Sequence, residues 1–343
     1  MSHLVGRNLG AREAHSSGIA ADASSRITRR SAVTAALLGL VVPAFAQEGG
    51  PLKMVVPFGP GTTTDTVARV VAEALGRNLH QTVVVDNRAG AGGSVGTDMV
   101  AKSTPDGKTL VMGTVGTHAI NASLYRKLPY DTVRDFAPVS FIGYTPTLLV
   151  VAGNSPIKSL KDLAALAARP DGVTFASAGN GTSGHLAGEL LAQRLGGRMI
   201  HVPYKEGAVA MTGVMSGQAD FMFYHPAAVM PQINAGKLRA IGCSGAVRSA
   251  AASDVPTLME QGVKEFDLVA WFMLYAPAAT PAATLAQLRT ASTAALAQAD
   301  TVARLRDQGI EQRAMTADEM APFNKVELVK WAELVKRSGA QID

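Results

Sequence analysis

Cysteine is nearly absent: the 343-residue chain has one, Cys243, inside the apolar run Leu238 to Cys243. One thiol can form no internal disulfide and no cysteine metal cluster. A small residue in an apolar run reads as core. Aromatics are scarce, at 5% of the residues. The formal charge is +5, but the first 46 residues hold five arginines (Arg7, Arg12, Arg26, Arg29, Arg30) against Glu13 and Asp22, a net +3. About +2 is left for the rest, with no lysine/arginine block and no interleaved aromatic stripe. A nucleic-acid surface needs a concentrated basic patch, so no nucleic-acid partner is expected. No later segment reaches the roughly eighteen apolar residues of a membrane-spanning helix. The length allows two domains with ample core. Alanine and glycine are plentiful, as in α/β proteins with close helix–sheet contacts.

The N-terminus reads as an export signal over residues 1–46. Arg26, Arg29 and Arg30 precede the apolar stretch Ala32 to Val42, and Ala44-Phe45-Ala46 follows. A basic region, a short apolar region and an Ala-x-Ala site predict cleavage after Ala46 and a periplasmic location in a bacterium. Arg29-Arg30 also suggests twin-arginine export, although the motif around it is poor.

After the signal the chain alternates strand and helix patterns, which predicts an α/β fold. Met54 to Val56 reads as a strand and Thr66 to Leu79 as a helix with Val67, Val70, Val71, Ala74 and Leu75 on one face. Between them lies Pro57-Phe58-Gly59-Pro60-Gly61-Thr62-Thr63-Thr64-Asp65. Its glycines let backbone approach a bound group, and its threonines and Asp65 suit an N-cap. The first amides of a helix have no intrahelical partner and carry partial positive charge, so such a turn can seat a carboxylate or phosphate. In isolation an ordinary capped βα turn reads the same way.

The rest of the chain strengthens the binding reading. Strand Thr82 to Val85 leads into a glycine-rich stretch, Asp86 to Gly96, which reads as a cleft loop. Gly90-x-Gly92-x-x-Val95 lacks the third glycine of a dinucleotide fingerprint, so no cofactor is expected there. Strand Thr109 to Gly113 ends in a loop carrying Thr117 and His118, where open α/β sheets bind ligands; His118 reads equally as a contact or a structural residue. Pro129 to Pro138 reads as a polar surface segment. Strand Val173 to Ser177 then feeds Ala178-Gly179-Asn180-Gly181-Thr182-Ser183-Gly184-His185 and a helix, Leu186 to Leu195. This repeats the logic of the opening turn, and two anion seats in separate βα series suggest two lobes facing across a cleft. Tyr204, after strand Met199 to Pro203, and Tyr224-His225, after strand Asp220 to Phe223, fall at strand ends where the cleft would lie. Leu238 to Gly242 reads as a strand returning to the first lobe, and Asp254 to Thr257 as a helix start. Val139 to Val151 and Leu268 to Ala276 are candidate crossovers, giving one lobe of 47–145 and 265–343 and another of 146–264. Three helices close the chain, the last opened by a Thr316-x-x-Glu319 capping box.

These residues together resemble the Bug family, the periplasmic substrate-binding proteins of tripartite tricarboxylate transporters. The resemblance runs from about Leu52 to Ala340. It rests on Val56-Pro57-Phe58 with Gly59-Pro60-Gly61, Asn87 to Gly93, Pro105-Asp106-Gly107-Lys108, Leu128-Pro129-Tyr130-Asp131, Ser177 to Ser183, His185 to Glu189, Val202-Pro203-Tyr204-Lys205, Ala235-Gly236-Lys237 and Asp254 to Thr257. It implies a two-lobed type II periplasmic binding fold with a cleft between the lobes, closing on a small di-, tri- or aromatic carboxylate. By the same resemblance Phe58, Gly61, Thr62, Thr63 and Thr64 of the first turn and Ala178, Gly179, Gly181, Thr182 and Ser183 of the second clasp the ligand. Thr117, His118 and Tyr204 stand nearby, and Tyr224 and His225 complete the set. The chain departs from the family pattern at Thr62 and Glu206, usually glycines, and at Tyr224-His225, where an aspartate is usual. Loss of that aspartate weighs against an amino-acid ligand. The expected partners are the ligand and membrane transporter subunits, or a sensor kinase if the module senses rather than transports; the chain is expected to be a monomer, without cofactor or metal. An extracytoplasmic hydrolase built on Ser183, His185 or His225 is the weaker alternative. Gly181-x-Ser183-x-His185 is not a nucleophile elbow, and no metal spacing or paired carboxylate cluster supports an enzyme.

Overall fold

A computed structural model describes residues 50–342; the expected signal, 1–46, lies outside the described residues. The chain builds two five-stranded sheets. The first contains β1 (Leu52–Val56), β2 (Val83–Asn87), β3 (Thr109–Thr114), β4 (Phe136–Pro146) and β10 (Val269–Pro277), in the order β2-β1-β3-β10-β4. The second contains β5 (Leu148–Ala152), β6 (Val173–Ser177), β7 (Met199–Pro203), β8 (Phe221–Tyr224) and β9 (Leu238–Cys243), in the order β7-β6-β8-β5-β9. The two orders are one topology written twice: three parallel strands, then an antiparallel strand inserted before the fourth. The inserted strand is the one that has just arrived from the other sheet, β10 in the first and β5 in the second. This is the two-lobed type II periplasmic binding fold with a cleft between the lobes.

Helices cover the sheets: α1 (Thr63–Leu79), α2 (Ser94–Ala101), α3 (Asn121–Leu124), α4 (Leu160–Ala167), α5 (Ser183–Leu195), α6 (Gly207–Met215), α7 (Pro226–Asn234), α8 (Ala282–Leu296), α9 (Ala299–Asp307) and α10 (Ala317–Ser338). No helix among the described residues is long and apolar enough to cross a membrane. Strands such as β5 are buried along their whole length because they sit mid-sheet with both faces covered. The expected apolar stripe of α1 is buried as a set. The capping box at Thr316 and Glu319 forms, with Thr316 N–H donating to Glu319 Oε2 at 2.7 Å.

Several expectations fail for identifiable reasons. β9 does not return to the first lobe; it pairs with β5 in the second sheet. Leu268 to Ala276 is no crossover, because β10 lies wholly in the first sheet and the passage is made by residues 244–268. Asp254 starts no helix; Thr257 instead forms an isolated bridge with Cys243. The segment Pro129 to Pro138 is only partly a surface stretch: Pro129, Val133 and Arg134 are exposed, but Tyr130, Thr132 and Phe136 are buried. Helix α7 follows His225 directly and carries Pro231 in its interior, which concealed it from a periodicity reading.

The two passages between sheets are laced to each other. Thr147 N–H donates to Ser244 Oγ at 2.8 Å, Ser244 N–H donates to the Thr147 carbonyl at 2.9 Å, and Ser244 Oγ–H donates to the Leu268 carbonyl at 2.6 Å. Both side chains are buried, so these bonds are shielded from water.

The last helix is fastened to the first sheet by a buried carboxylate. Glu327 Oε2 accepts from the indole N–H of Trp271 on β10 and of Trp331 on α10, each at 2.8 Å. Removing it leaves two buried donors without a partner, each costing roughly 1–3 kcal/mol. Glu327→Ala is therefore expected to destabilise the protein by about 2–4 kcal/mol. Glu327→Gln, which keeps the volume and one acceptor, costs less. Urea unfolding of the two variants checks the order.

Candidate ligand-binding cleft

Each of the two glycine-threonine turns begins where a central parallel strand ends, β1 for the first and β6 for the second. They are built alike, bond for bond. Thr62 and Thr182 are the N-caps of α1 and α5. Each hydroxyl donates to the carbonyl three residues back, Thr62 to Gly59 and Thr182 to Gly179, both at 2.8 Å. Each Oγ accepts the amide three residues on, Asp65 at 3.3 Å and His185 at 3.4 Å. Gly61 and Gly181 both take φ near +78°, a conformation that glycine adopts without strain, at 77° and 78°. Each of these glycines then donates its N–H to the side chain four residues on. Gly61 N–H reaches Asp65 Oδ2 at 2.9 Å, and Gly181 N–H reaches His185 Nδ1 at 3.3 Å.

With the third amide capped, the first and second amides of each helix are left without an intrahelical partner: Thr63 and Thr64 on α1, Ser183 and Gly184 on α5. All four residues line one cavity of about 600 Å³ between the lobes. Four orphan amides and two helix N-termini thus converge on one space, where an anion gains hydrogen bonds and favourable dipole interaction.

The electrostatics behind the turns differ. Burial raises the Asp65 pKa, but hydrogen bonds from Arg69, Gly61 and Asn87 outweigh it and hold the carboxyl below its usual range. Asp65 is therefore charged and paired, with Arg69 Nη2 at 3.0 Å and Asn87 Nδ2 at 2.9 Å. His185, its counterpart, is pulled down to about 4 by burial and is neutral near pH 7.

Among the expected site residues, Phe58, Thr62, Thr63, Thr64, Ala178 and Gly179 line the cavity, as do Gly181, Thr182, Ser183, Tyr204, Tyr224 and His225. Three do not. Gly61 turns its N–H to Asp65 and serves the turn's shape. Thr117 and His118 are fully buried in the first lobe. The segment after β3 winds into a π-helical turn, Gly116–Ile120, which swings His118 behind the cavity wall. There His118 stacks on Tyr275, centroids 4.0 Å apart and planes within 5°, and Thr117 Oγ1 lies 2.9 Å from its Nδ1. Burial pulls it down to about 3, so it packs as a neutral ring.

Ala89 to Gly93, within the glycine-rich stretch expected as a cleft loop, line the cavity, as does an apolar wall of Phe223, Ala270 and Phe272 that sequence reasoning did not single out. The loop was legible as a glycine-rich strand end. The wall was not, because β10 arrives from the far end of the chain. Tyr224 has its hydroxyl pushed up to about 12 by burial and the charge of Glu206, so it stays protonated. His225 is pulled down to about 4 by burial, against a backbone hydrogen bond with Pro146 that favours the charged form. Its Nδ1 is buried with no hydrogen-bond partner among the described residues. The cavity thus offers neutral polar groups at this end, with Lys205 and Glu206 exposed at the rim. Glu206 reaches across the cleft: a methyl on Gly59 would stand 3.0 Å from its Oε1. No hydrogen bond joins Ser183 to His185, whose Nδ1 is engaged by Gly181, so no nucleophile–base pair forms there.

A family model described as the tripartite tricarboxylate transporter family receptor matches residues 67–340. The chain belongs to that family. Bordetella pertussis protein BugT is 36% identical over 311 residues, which cover 90% of this chain and 95% of BugT. Among solved structures, the periplasmic binding protein BugD superposes with a TM-score of 0.79 at 32% identity, covering 85% of this chain and 98% of BugD. R. palustris Rpa4515, solved with adipate, superposes with a TM-score of 0.82 at 32% identity, covering 86% of this chain and 99% of its own. The receptor is thus of the periplasmic binding protein type.

The shared threonine caps can be tested directly. Thr62→Val and Thr182→Val each remove an N-cap acceptor and are expected to cost about 1–2 kcal/mol, while Thr→Ser at either position restores most of it. Equilibrium urea unfolding reads both effects.

Proposed function

We propose that this receptor captures a small di-, tri- or aromatic carboxylate in the periplasm by closing its two lobes over it, and delivers it to the membrane subunits of a tripartite transporter. The observation that carries this reading is the pair of like-built turns whose four orphan amides open on one cavity. A dicarboxylate fits best. One carboxylate takes the amides of the two turns, which need no buried cation because backbone donors and helix dipoles supply the interaction. The remaining length lies along Phe58, Phe223 and Phe272 toward Tyr224 and His225, whose neutral donors suit a second polar end. Rpa4515, with adipate, supports that class. We infer lobes of 47–145 with 265–343 and of 146–264, hinged at the Thr147–Ser244 lacing, with export by the 1–46 signal and action as a monomer.

A thermal-shift screen of the mature chain, from Gln47, against aliphatic and aromatic carboxylates tests the reading. A ligand at a hundred times its dissociation constant stabilises the folded state by about 2.7 kcal/mol. Stabilisation by adipate or a related diacid is expected, and Ser183→Trp is expected to abolish it without unfolding the protein. Silence across all carboxylates overturns the assignment, and unchanged affinity in Ser183→Trp removes the second turn from the site.

A further inference from the structure

Behind the second turn, away from the cleft amides, three metal-type ligands gather. His185 and Glu189 lie one turn apart on α5 and so share a face. Strand β7 brings His201 beside them, and one donor atom from each residue lies within 4.8 Å of the other two. His185 Nε2 and Glu189 Oε1 are 3.7 Å apart. That is too long for a hydrogen bond. It is close to the roughly 3.3 Å between two ligands on a tetrahedral zinc with bonds of about 2.0–2.1 Å. The spacing thus admits an ion between the two atoms.

His201 has an outer polar partner. Its Nε2 lies 2.7 Å from Ser177 Oγ. Ser177 Oγ also accepts the Gly179 N–H at 3.1 Å and lies 3.1 Å from the Gly179 carbonyl, to which its proton can turn; the ion-binding tautomer of His201 is the one in which Nε2–H donates to Ser177. Nδ1 then keeps its lone pair, fixed by an outer partner as in built metal sites. The two imidazoles stack with centroids 4.0 Å apart and planes 26° apart, so one ring must turn for both in-plane lone pairs to meet on one ion.

We propose that His185, Glu189 and His201 form a site for one borderline divalent cation on the second lobe. Zn²⁺ is the best fit to two imidazoles and a carboxylate with a fourth position left for water. Binding has a structural consequence. Nε2 of His185 must offer a lone pair, which moves the ring proton to Nδ1, where Gly181 N–H now donates. The cation therefore exchanges the Gly181 tether for a coordinate bond, and the turn feels it. The cation needs no carboxylate in the cleft, so the site stands or falls separately from the transport reading.

Titration of the untagged mature protein with ZnCl₂ by isothermal calorimetry tests the proposal. One saturable Zn²⁺ per chain is expected, with no comparable binding of Mg²⁺, which prefers an all-oxygen shell. His201→Ala and the isosteric Glu189→Gln should each weaken binding tenfold or more while leaving the circular dichroism spectrum unchanged. The Gly181 amide should shift in ¹H–¹⁵N spectra on adding zinc. No saturable uptake, equal uptake of Mg²⁺, or undiminished binding in Glu189→Gln overturns the site; the last variant keeps the test valid if His201→Ala does not fold.

Discussion

The first amides of a helix have nowhere within the helix to donate, and this protein turns two such ends toward one cavity. Much of the surrounding architecture serves that constraint. The threonine caps satisfy the third amide of each helix and leave the first two for the cleft. The glycine two residues before each helix takes a left-handed conformation, and its own amide is drawn back to Asp65 or His185. The backbone is thereby fixed before any ligand arrives. Preorganised donors of this kind avoid the ordering cost that a flexible loop would pay on binding.

The repetition extends from the turns to the whole fold. Each sheet has one antiparallel strand that the chain enters on arriving from the other, so the second sheet needs one crossing and the first is complete only after two. The crossings meet at Thr147 and Ser244, where buried hydroxyls bond one passage to the other. The sheets on either side of this joint are close-packed and resist deformation. The C-terminal helix α10 is tied to β10 through Glu327 and also packs against α5 of the second lobe, so it spans both.

Local chemistry was readable from the sequence, and long-range placement was not. The strand–glycine–threonine–helix pattern located both turns, since capping and glycine conformations are decided within a few residues. The roles of Asp65 and His185 were not legible: Asp65 read as an N-cap and His185 as a candidate base, whereas each accepts the amide of the turn's second glycine. His118 could not be resolved, because its fate depends on a π-helical turn and on Tyr275, far along the chain. The apolar wall from Phe272 and the Thr147–Ser244 joint were invisible for the same reason. So was the burial of Tyr130, whose hydroxyl bonds the Thr117 carbonyl. The expected return of β9 to the first lobe failed because an apolar run states that it is buried, not which sheet buries it.

The one asymmetry between the turns bears on how an anion would be shared between them. A charged carboxylate one turn behind a helix N-terminus works against an anion in front of it, and Asp65 occupies that place in the first lobe. Its charge is matched by Arg69, Asn87 and the Gly61 amide, which limits the repulsion but also engages part of the turn. The second lobe uses neutral His185 in the same place, so its turn carries no like charge at the matching position. A carboxylate should therefore sit nearer α5 than α1. The first lobe then contributes mainly its two amides and Phe58, and Glu206, reaching from the second lobe to Gly59, crowds that side further.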